Sequence, residues 1–238
     1  MAPLPKVSAI ILIGGKYDKK LLEKCLDSVS WADEIVKVET TGLKGSFADW
    51  RNLGAKKAKN EWLCYVDSDE TVTPKLKEMI LQVIASSEFS AYAIPRRNIF
   101  LGHTMRWGGW WPDFVVRLIK KDKLKGWNGE LHEQPKIDGT ICHLKEPLIH
   151  ESHRSLSEMV EKTNKWSEIE AKLLYNSGHP KMNIFRFLSA GFREFWYRGI
   201  IKLGFLDGTV GVIEIIYQTF SRLITYSKLW ELQLKYQK

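Results

Sequence analysis

The sequence has few cysteines, and their spacing excludes a cysteine-based framework. Three occur in 238 residues, with no Cys-x-x-Cys pair, so neither a disulfide scaffold nor a standard zinc site is predicted. Each lies beside apolar residues, where a reduced thiol packs as a small hydrophobic group. Cys25, Cys64 and Cys142 therefore favour a reducing, cytoplasmic location.

The sequence also lacks an uncharged apolar segment long enough to cross a bilayer. The apolar run within the first fifteen residues is too short and has no small-residue cleavage pattern, so it is predicted to be a first strand. The apolar region after Pro180 is interrupted by Asp207, Glu214 and Arg222. A transmembrane protein is therefore not predicted.

Acidic residues are fewer than basic ones, which leaves a formal net charge of +8. This surplus favours anionic partners such as nucleotides, nucleic acids or phospholipids. No RNP, KH or zinc-finger pattern is present, and the positive charge is spread through the C-terminal region. We therefore expect no nucleic-acid partner and favour membrane phosphates.

Apolar runs alternate with amphipathic stretches over roughly the first 120 residues, which predicts an α/β fold with a mainly parallel sheet. Val7 to Ile13, Glu34 to Glu39 and Trp62 to Val66 are predicted strands, with helices between them. Ligands of such sheets usually lie at the carboxyl ends of the strands. Asp67 occupies such an end.

The character changes to helix after about residue 150. Ser155 and Glu158 form a capping box ahead of a helix predicted to reach Tyr175. Beyond Pro180, two basic amphipathic helices are predicted on either side of Gly-Phe-Leu-Asp-Gly. They suit an anionic membrane surface, although helices that only cap the sheet domain would have the same pattern. We predict a catalytic domain over 1–154 and a membrane-associating helical extension over 155–238.

Asp67 and Asp69, in the segment DSDET, are spaced to turn toward one cleft and hold a divalent ion. The same acids could instead form a solvated turn before a helix. The D-x-D-x-T pattern also fits phosphatases that use the first aspartate as a covalent nucleophile. Those enzymes need a further acidic pair, whereas the later aspartates of this chain are isolated.

Seven segments in this order resemble family 2 glycosyltransferases of the GT-A fold, close to the lipopolysaccharide-core β-glucosyltransferase group. They are SWADEIVKVE, RNLGAKKAKNEWLCYVDSDETV, IPRRNIFLGHTMRWGGWWPDFVVRLIKK, NGELHE, HESHRSL, GFLDG and YSKLWE. The resemblance implies a Rossmann-like sheet flanked by helices. It also implies inverting, metal-dependent transfer of a hexose from a UDP-sugar to a hydroxyl of a lipid-linked saccharide such as lipopolysaccharide core.

By this resemblance Asp69 is the direct ligand of Mn²⁺ or Mg²⁺, and Asp67 contacts the ribose or the water shell of the metal. Arg51 would meet the diphosphate or the base. Glu39 stands where the family usually has a nucleobase-binding aspartate, and the loops around it differ from the usual pattern. His150 is a further candidate metal ligand, with a hydrogen-bonded core histidine as the alternative.

The base that activates the acceptor hydroxyl must be a carboxylate or imidazole within hydrogen-bond reach. We choose Glu133, with Glu130 and Asp113 as alternatives. The tryptophans of the Gly-Gly segment are assigned to the acceptor side, although large aromatic residues are often core. They are Trp107, Trp110 and Trp111.

The predicted protein therefore works at the inner face of the cell membrane as a peripheral, cytoplasmic enzyme. A catalytically altered module that only binds membrane or saccharide is the alternative.

Overall fold

The computed structural model describes residues 5–14, 17–86, 88–130 and 133–236. The strands are β1 Val7–Ile13, β2 Glu34–Glu39, β3 Trp62–Asp67, β4 Glu70–Val72, β5 Ala91–Phe100, β6 His103–Thr104, β7 Asp113–Lys120, β8 Leu124–Asn128, β9 Gln134–Ile137, β10 Ile141–His143 and β11 Leu148–His153. The α-helices are α1 Lys19–Ser28, α2 Phe47–Lys57, α3 Pro74–Ser86, α4 Leu156–Asn176, α5 Ile184–Phe195 and α6 Gly208–Lys235. A π-helical segment, Trp196–Ile201, continues α5, and short 3₁₀ turns occur at Lys121–Lys123 and Gly204–Asp207.

The main sheet has the strand order β2-β1-β3-β7-β5-β11-β4, with β6 and β10 also paired to β5. β1 pairs in parallel with β2 and β3, and all seven of its residues are buried, as expected of a central parallel strand. β7 is antiparallel to both β3 and β5. The predicted α/β class is therefore confirmed, and the sheet is mixed, with its parallel pairing concentrated around β1.

The chain divides into two compact units. The first comprises the residues up to Arg97 together with Pro112–Glu151, and the second comprises Asn98–Trp111 and the residues from Ser152 onward. The last break, between Glu151 and Ser152, lies close to the predicted boundary at residue 154, but the segment 98–111 belongs to the helical unit. The separate tasks assigned to the two parts stay predictions.

Both faces of the sheet in the first unit are covered. Alternate residues of β1 pack on one face with α1 and α3, and the others pack with α2 on the opposite face. The side chain of Asp18 caps α1, and Ser46 forms a capping box with Asp49 at the start of α2. Gly54 lets α2 approach β1 closely, since a Cβ there would lie 2.5 Å from Ile10 Cγ2.

The second unit is helical, with α4 and α5 packed on α6 and a small core of Ala171, Met182 and Leu229. Asp207 ends the 3₁₀ turn between the two C-terminal helices. Its carboxylate accepts hydrogen bonds from the backbone N–H groups of Arg106 and Trp107, at 3.0 and 2.8 Å. The Gly-Phe-Leu-Asp-Gly segment therefore anchors the backbone at Arg106 and Trp107. Among the described residues, no helix is apolar and long enough to span a bilayer.

Candidate active site

The carboxyl edge of the parallel strands gathers the predicted donor-side acids. In the register of β1, Leu12 lies beside Asp67 of β3 and Ile13 lies beside Glu39 of β2. Glu39 is exposed at the end of its strand. The predicted nucleotide-side residues Glu39 and Asp67 therefore share one edge of the sheet.

A tight turn joins β3 to β4 and fixes the aspartate pair. The N–H of Asp67 donates to Glu70 Oε2 at 2.9 Å, so the buried Glu70 side chain bridges the two ends of the turn. The N–H of Glu151 in β11 donates to the carbonyl oxygen of Asp69 at 3.0 Å. The β4–β11 register places His150 opposite Glu70. Strand β11 thus positions both His150 and the Asp69 backbone.

Seven charged side chains of alternating sign form a continuous series at this edge, which we call the ion-pair chain. Its order is Glu133, Arg51, Asp67, Arg117, Glu70, Arg96 and Asp113. The Arg51–Glu133, Arg51–Asp67 and Arg117–Glu70 contacts measure 3.0, 2.9 and 2.8 Å. Asp67, the first acid of the predicted motif, lies between two guanidinium groups.

The ion-pair chain keeps Asp67 ionised. Burial alone would raise the pKa of Asp67, but Arg117 and Arg51 lower it well below its ordinary value. The pKa of Arg117 is correspondingly raised, because its two carboxylate partners outweigh the effect of burial. Both carboxylate oxygens of Asp67 accept hydrogen bonds from Arg51.

Arg51 reaches this position from α2. Its guanidinium carbon lies 5.1 Å from the ring centroid of Trp127 and 5.8 Å from that of Tyr65, within the range of cation–π attraction. Only 3% of Arg51 is exposed, and its Nε and Nη2 already bind Glu133 and Asp67. Arg51 therefore supports Glu133 and Asp67 from inside, and its contact with the diphosphate or base stays a prediction.

Asp69 and His150 form a pair that suits a divalent ion. Asp69 Oδ2 lies 3.8 Å from His150 Nε2, and one ion between them can reach both through bonds of about 2.0–2.2 Å. Burial lowers the pKa of His150, and the charge of Asp69 offsets only part of this effect. The lowered pKa favours the neutral imidazole, which is the form that binds metals.

In the described part of the chain, no three His, Cys, Asp or Glu side chains are grouped to hold a metal. Ions such as Mg²⁺ commonly use one or two protein ligands and complete their shell with water and substrate phosphates. The Asp69–His150 pair therefore fits a metal that the substrate helps to bind.

The three candidate bases differ in their surroundings. Glu133 is held through Oε1 by Arg51, and Asp113 is held by Arg96 at 2.7 Å. Both are only partly exposed and belong to the ion-pair chain, whereas Glu130 is exposed. The structure thus links Glu133 and Asp113 to the aspartate motif.

The candidate acceptor tryptophans belong to the second unit. Trp107 and Trp111 are exposed. Trp110 packs edge-on against Phe100, with ring centroids 4.7 Å apart, and the guanidinium carbon of Arg198 lies 4.7 Å from the Trp110 ring centroid. Trp110 is therefore at least partly a packing residue. The acceptor-side role of all three stays a prediction.

Sequence reasoning missed Glu70, Arg96 and Arg117. Glu70 is the first residue of β4 and is fully buried. Arg117 interrupts the apolar run Phe-Val-Val-Arg-Leu-Ile of β7. A charged residue within a buried strand signals a buried partner, and this signal could have identified the Arg117–Glu70 pair.

Comparisons with known proteins assign the chain to a family. The sequence model of the protein family described as "Glycosyl transferase family 2" matches residues 10–192 of this chain. An uncharacterized glycosyltransferase of Rickettsia bellii is 24% identical, covering 97% of this chain and 88% of its own length. The lipopolysaccharide core biosynthesis glycosyltransferase LpsC of Rhizobium meliloti is 25% identical, covering 88% of this chain and 90% of its own length.

Two solved structures of S. aureus TarS also resemble the chain. One matches with a TM-score of 0.42 and 11% identity, covering 98% of this chain and 55% of that one. The other structure, of TarS residues 1–349 in complex with UDP-GlcNAc, matches with a TM-score of 0.40 and 12% identity. The match covers 97% of this chain and 91% of the TarS chain. Since both scores are low, the assignment rests on the family match: the chain belongs to glycosyl transferase family 2.

Proposed function

We propose that the chain is an inverting, metal-dependent enzyme that moves a hexose from a UDP-sugar to a hydroxyl of a lipid-linked saccharide such as lipopolysaccharide core. The observation that carries the proposal is the Asp69–His150 pair, 3.8 Å apart at the carboxyl edge of the sheet. Family membership and the 25% identity to LpsC support transfer to a saccharide acceptor.

Asp69 and His150 are the proposed protein ligands of Mn²⁺ or Mg²⁺. When bound, the ion would offset the negative charge that develops on the departing nucleoside diphosphate. Asp67 is proposed to contact the ribose or a metal-bound water from its fixed place in the ion-pair chain. Glu39, exposed at the same edge, is proposed to face the nucleoside.

Glu133 is the proposed general base. Inversion requires the acceptor oxygen to attack the anomeric carbon from the face opposite the leaving group, while the base accepts the hydroxyl proton. Arg51 holds Glu133 by Oε1, so Oε2 can accept that proton. Asp113 is the alternative base, and Glu130 is a third candidate.

Release of UDP from a panel of UDP-sugars, with and without Mn²⁺, tests the proposal. The parent is expected to release UDP only with metal and acceptor, and Asp69→Ala and His150→Ala are expected to lose most of this activity. Lys125→Met, which disrupts an exposed ion pair with Asp138, should leave it unchanged. A parent protein that binds no UDP-sugar with or without Mn²⁺ would refute the proposal and favour the altered binding module.

The choice of base is tested separately. Glu133→Gln is expected to abolish transfer while leaving the KM for the donor nearly unchanged, since the base acts on the acceptor. If Asp113→Asn shows that pattern and Glu133→Gln does not, the base is Asp113. Phosphatase activity lost in Asp67→Asn would instead favour the nucleophilic-aspartate chemistry.

We also propose that the helical unit places the enzyme on the inner face of the cell membrane. One face of α5 exposes large apolar side chains at helical spacing, namely Phe185, Leu188, Phe192 and Phe195. Exposed Arg186 and Arg193 flank this face. An apolar stripe beside basic residues is typical of helices that lie in an anionic lipid interface.

A further inference from the structure

Resting on the proposed metal-dependent function, we propose that Arg117 is a positioning residue for the donor half of the site. Arg117, supported by Glu70, holds the Asp67 carboxylate in one position, from which it meets the ribose or a metal-bound water and not the metal itself. Asp69 is thereby left as the motif carboxylate that faces the metal and the diphosphate. Neither Arg117 nor Glu70 carries out chemistry.

The contacts of Arg117 support this role. It extends from β7, and its Nη2 donates to Asp67 Oδ2 and to Glu70 Oε1. The Arg117 side chain is only 5% exposed and that of Glu70 is not exposed at all. Glu70 in turn accepts the backbone N–H of Asp67. One guanidinium therefore fixes both the side chain of Asp67 and the turn that carries it.

The difference between the two motif aspartates follows from these contacts. Asp67 is held by two arginines, whereas the carboxylate of Asp69 lies 3.8 Å from the imidazole of His150. Without Arg117, the Asp67 carboxylate would lose one of its two cations and the guanidinium that it shares with Glu70. Its carboxylate could then turn toward the metal and compete with Asp69, or repel it as a like charge.

A double-mutant cycle on metal and nucleotide binding tests the role directly. The full chain is compared as wild type, Arg117→Lys, Asp67→Asn and the double variant. Binding of Mn²⁺ is measured by electron paramagnetic resonance, and binding of UDP with Mn²⁺ by calorimetry. Thermal unfolding is recorded in parallel, and Lys125→Met serves as a charge-removal control in the same unit.

Each single variant is expected to weaken binding of UDP with Mn²⁺ by about 10–100-fold, the usual effect of losing a supporting residue around a metal site. The double variant should bind no more weakly than the weaker single variant, because Arg117 acts through Asp67. The control should bind like wild type.

Wild-type affinity in Arg117→Lys, even with a lower Tm, would reduce Arg117 to a stabilising residue and overturn the proposal. Fully additive losses would also overturn it. If Arg117→Lys does not fold, Glu70→Gln replaces it, and wild-type binding by that variant would overturn the proposal equally. A wild-type protein that binds neither Mn²⁺ nor UDP with Mn²⁺ would instead refute the proposed function itself.

Discussion

Removing the exposed apolar face of α5 is expected to release the protein from anionic vesicles. Phe185, Leu188 and Phe192 keep 78, 66 and 61% of their surface exposed, so together they present about two complete side chains to solvent. Complete burial of one such side chain contributes about 1.5–3 kcal/mol. Changing all three to serine should therefore weaken membrane partitioning by roughly 3–6 kcal/mol, a factor of about 10²–10⁴.

Co-sedimentation with phosphatidylglycerol vesicles, followed over a range of lipid concentrations, measures this factor. Leu81→Ser with Ile141→Ser is a matched control, since both residues are exposed and apolar but belong to the first unit. Urea unfolding should show little change in the triple variant, because substitution of exposed side chains is usually within about 0.5 kcal/mol. A triple variant that sediments like wild type would refute the reasoning.

Three further outcomes are expected. Burial alone would raise the pKa of Asp67, but Arg117 and Arg51 together lower it well below its ordinary value. The ionised Asp67 carboxylate should therefore stabilise the fold relative to Asp67→Asn above about pH 4, and urea titrations should show this difference disappearing as the pH falls. Ser46→Ala should lower the free energy of unfolding by about 1 kcal/mol through loss of the α2 cap, and Ser46→Asn should restore most of it. Burial raises the pKa of the Cys64 thiol to about 12, so a disulfide reagent should modify half-buried Cys142 first and reach Cys64 only on unfolding.

Local signals predict much of the fold. Val7–Ile13 and Glu34–Glu39 have the predicted bounds, because continuous apolar or alternating runs mark strands directly. The cap at Asp18 and the helix start at Leu156 are equally clear in the sequence. The antiparallel direction of β7 could not be predicted, since its local pattern resembles that of a parallel strand. Strand direction depends on pairing between residues distant in sequence.

The residues of the candidate site likewise include some that local sequence patterns predict and others that they do not. Asp67 and Asp69 can be predicted because they follow a buried strand directly. His150 is a candidate from the resemblance, and the β4–β11 register explains its nearness to Asp69. The Arg117–Glu70 contact joins β7 to β4, two strands that are not neighbours in the sheet order. Such a pairing has no local pattern in the sequence.

The ion-pair chain has a consequence for how this sequence can diverge. Three of its members, Arg51, Glu70 and Arg117, have almost no access to water, and each is paired with other members of the chain. Replacing one of them leaves an uncompensated buried charge, which costs far more than replacing a complete pair. Substitutions among these positions should therefore be inherited as matched sets, and their covariation among relatives would record the electrostatic constraint.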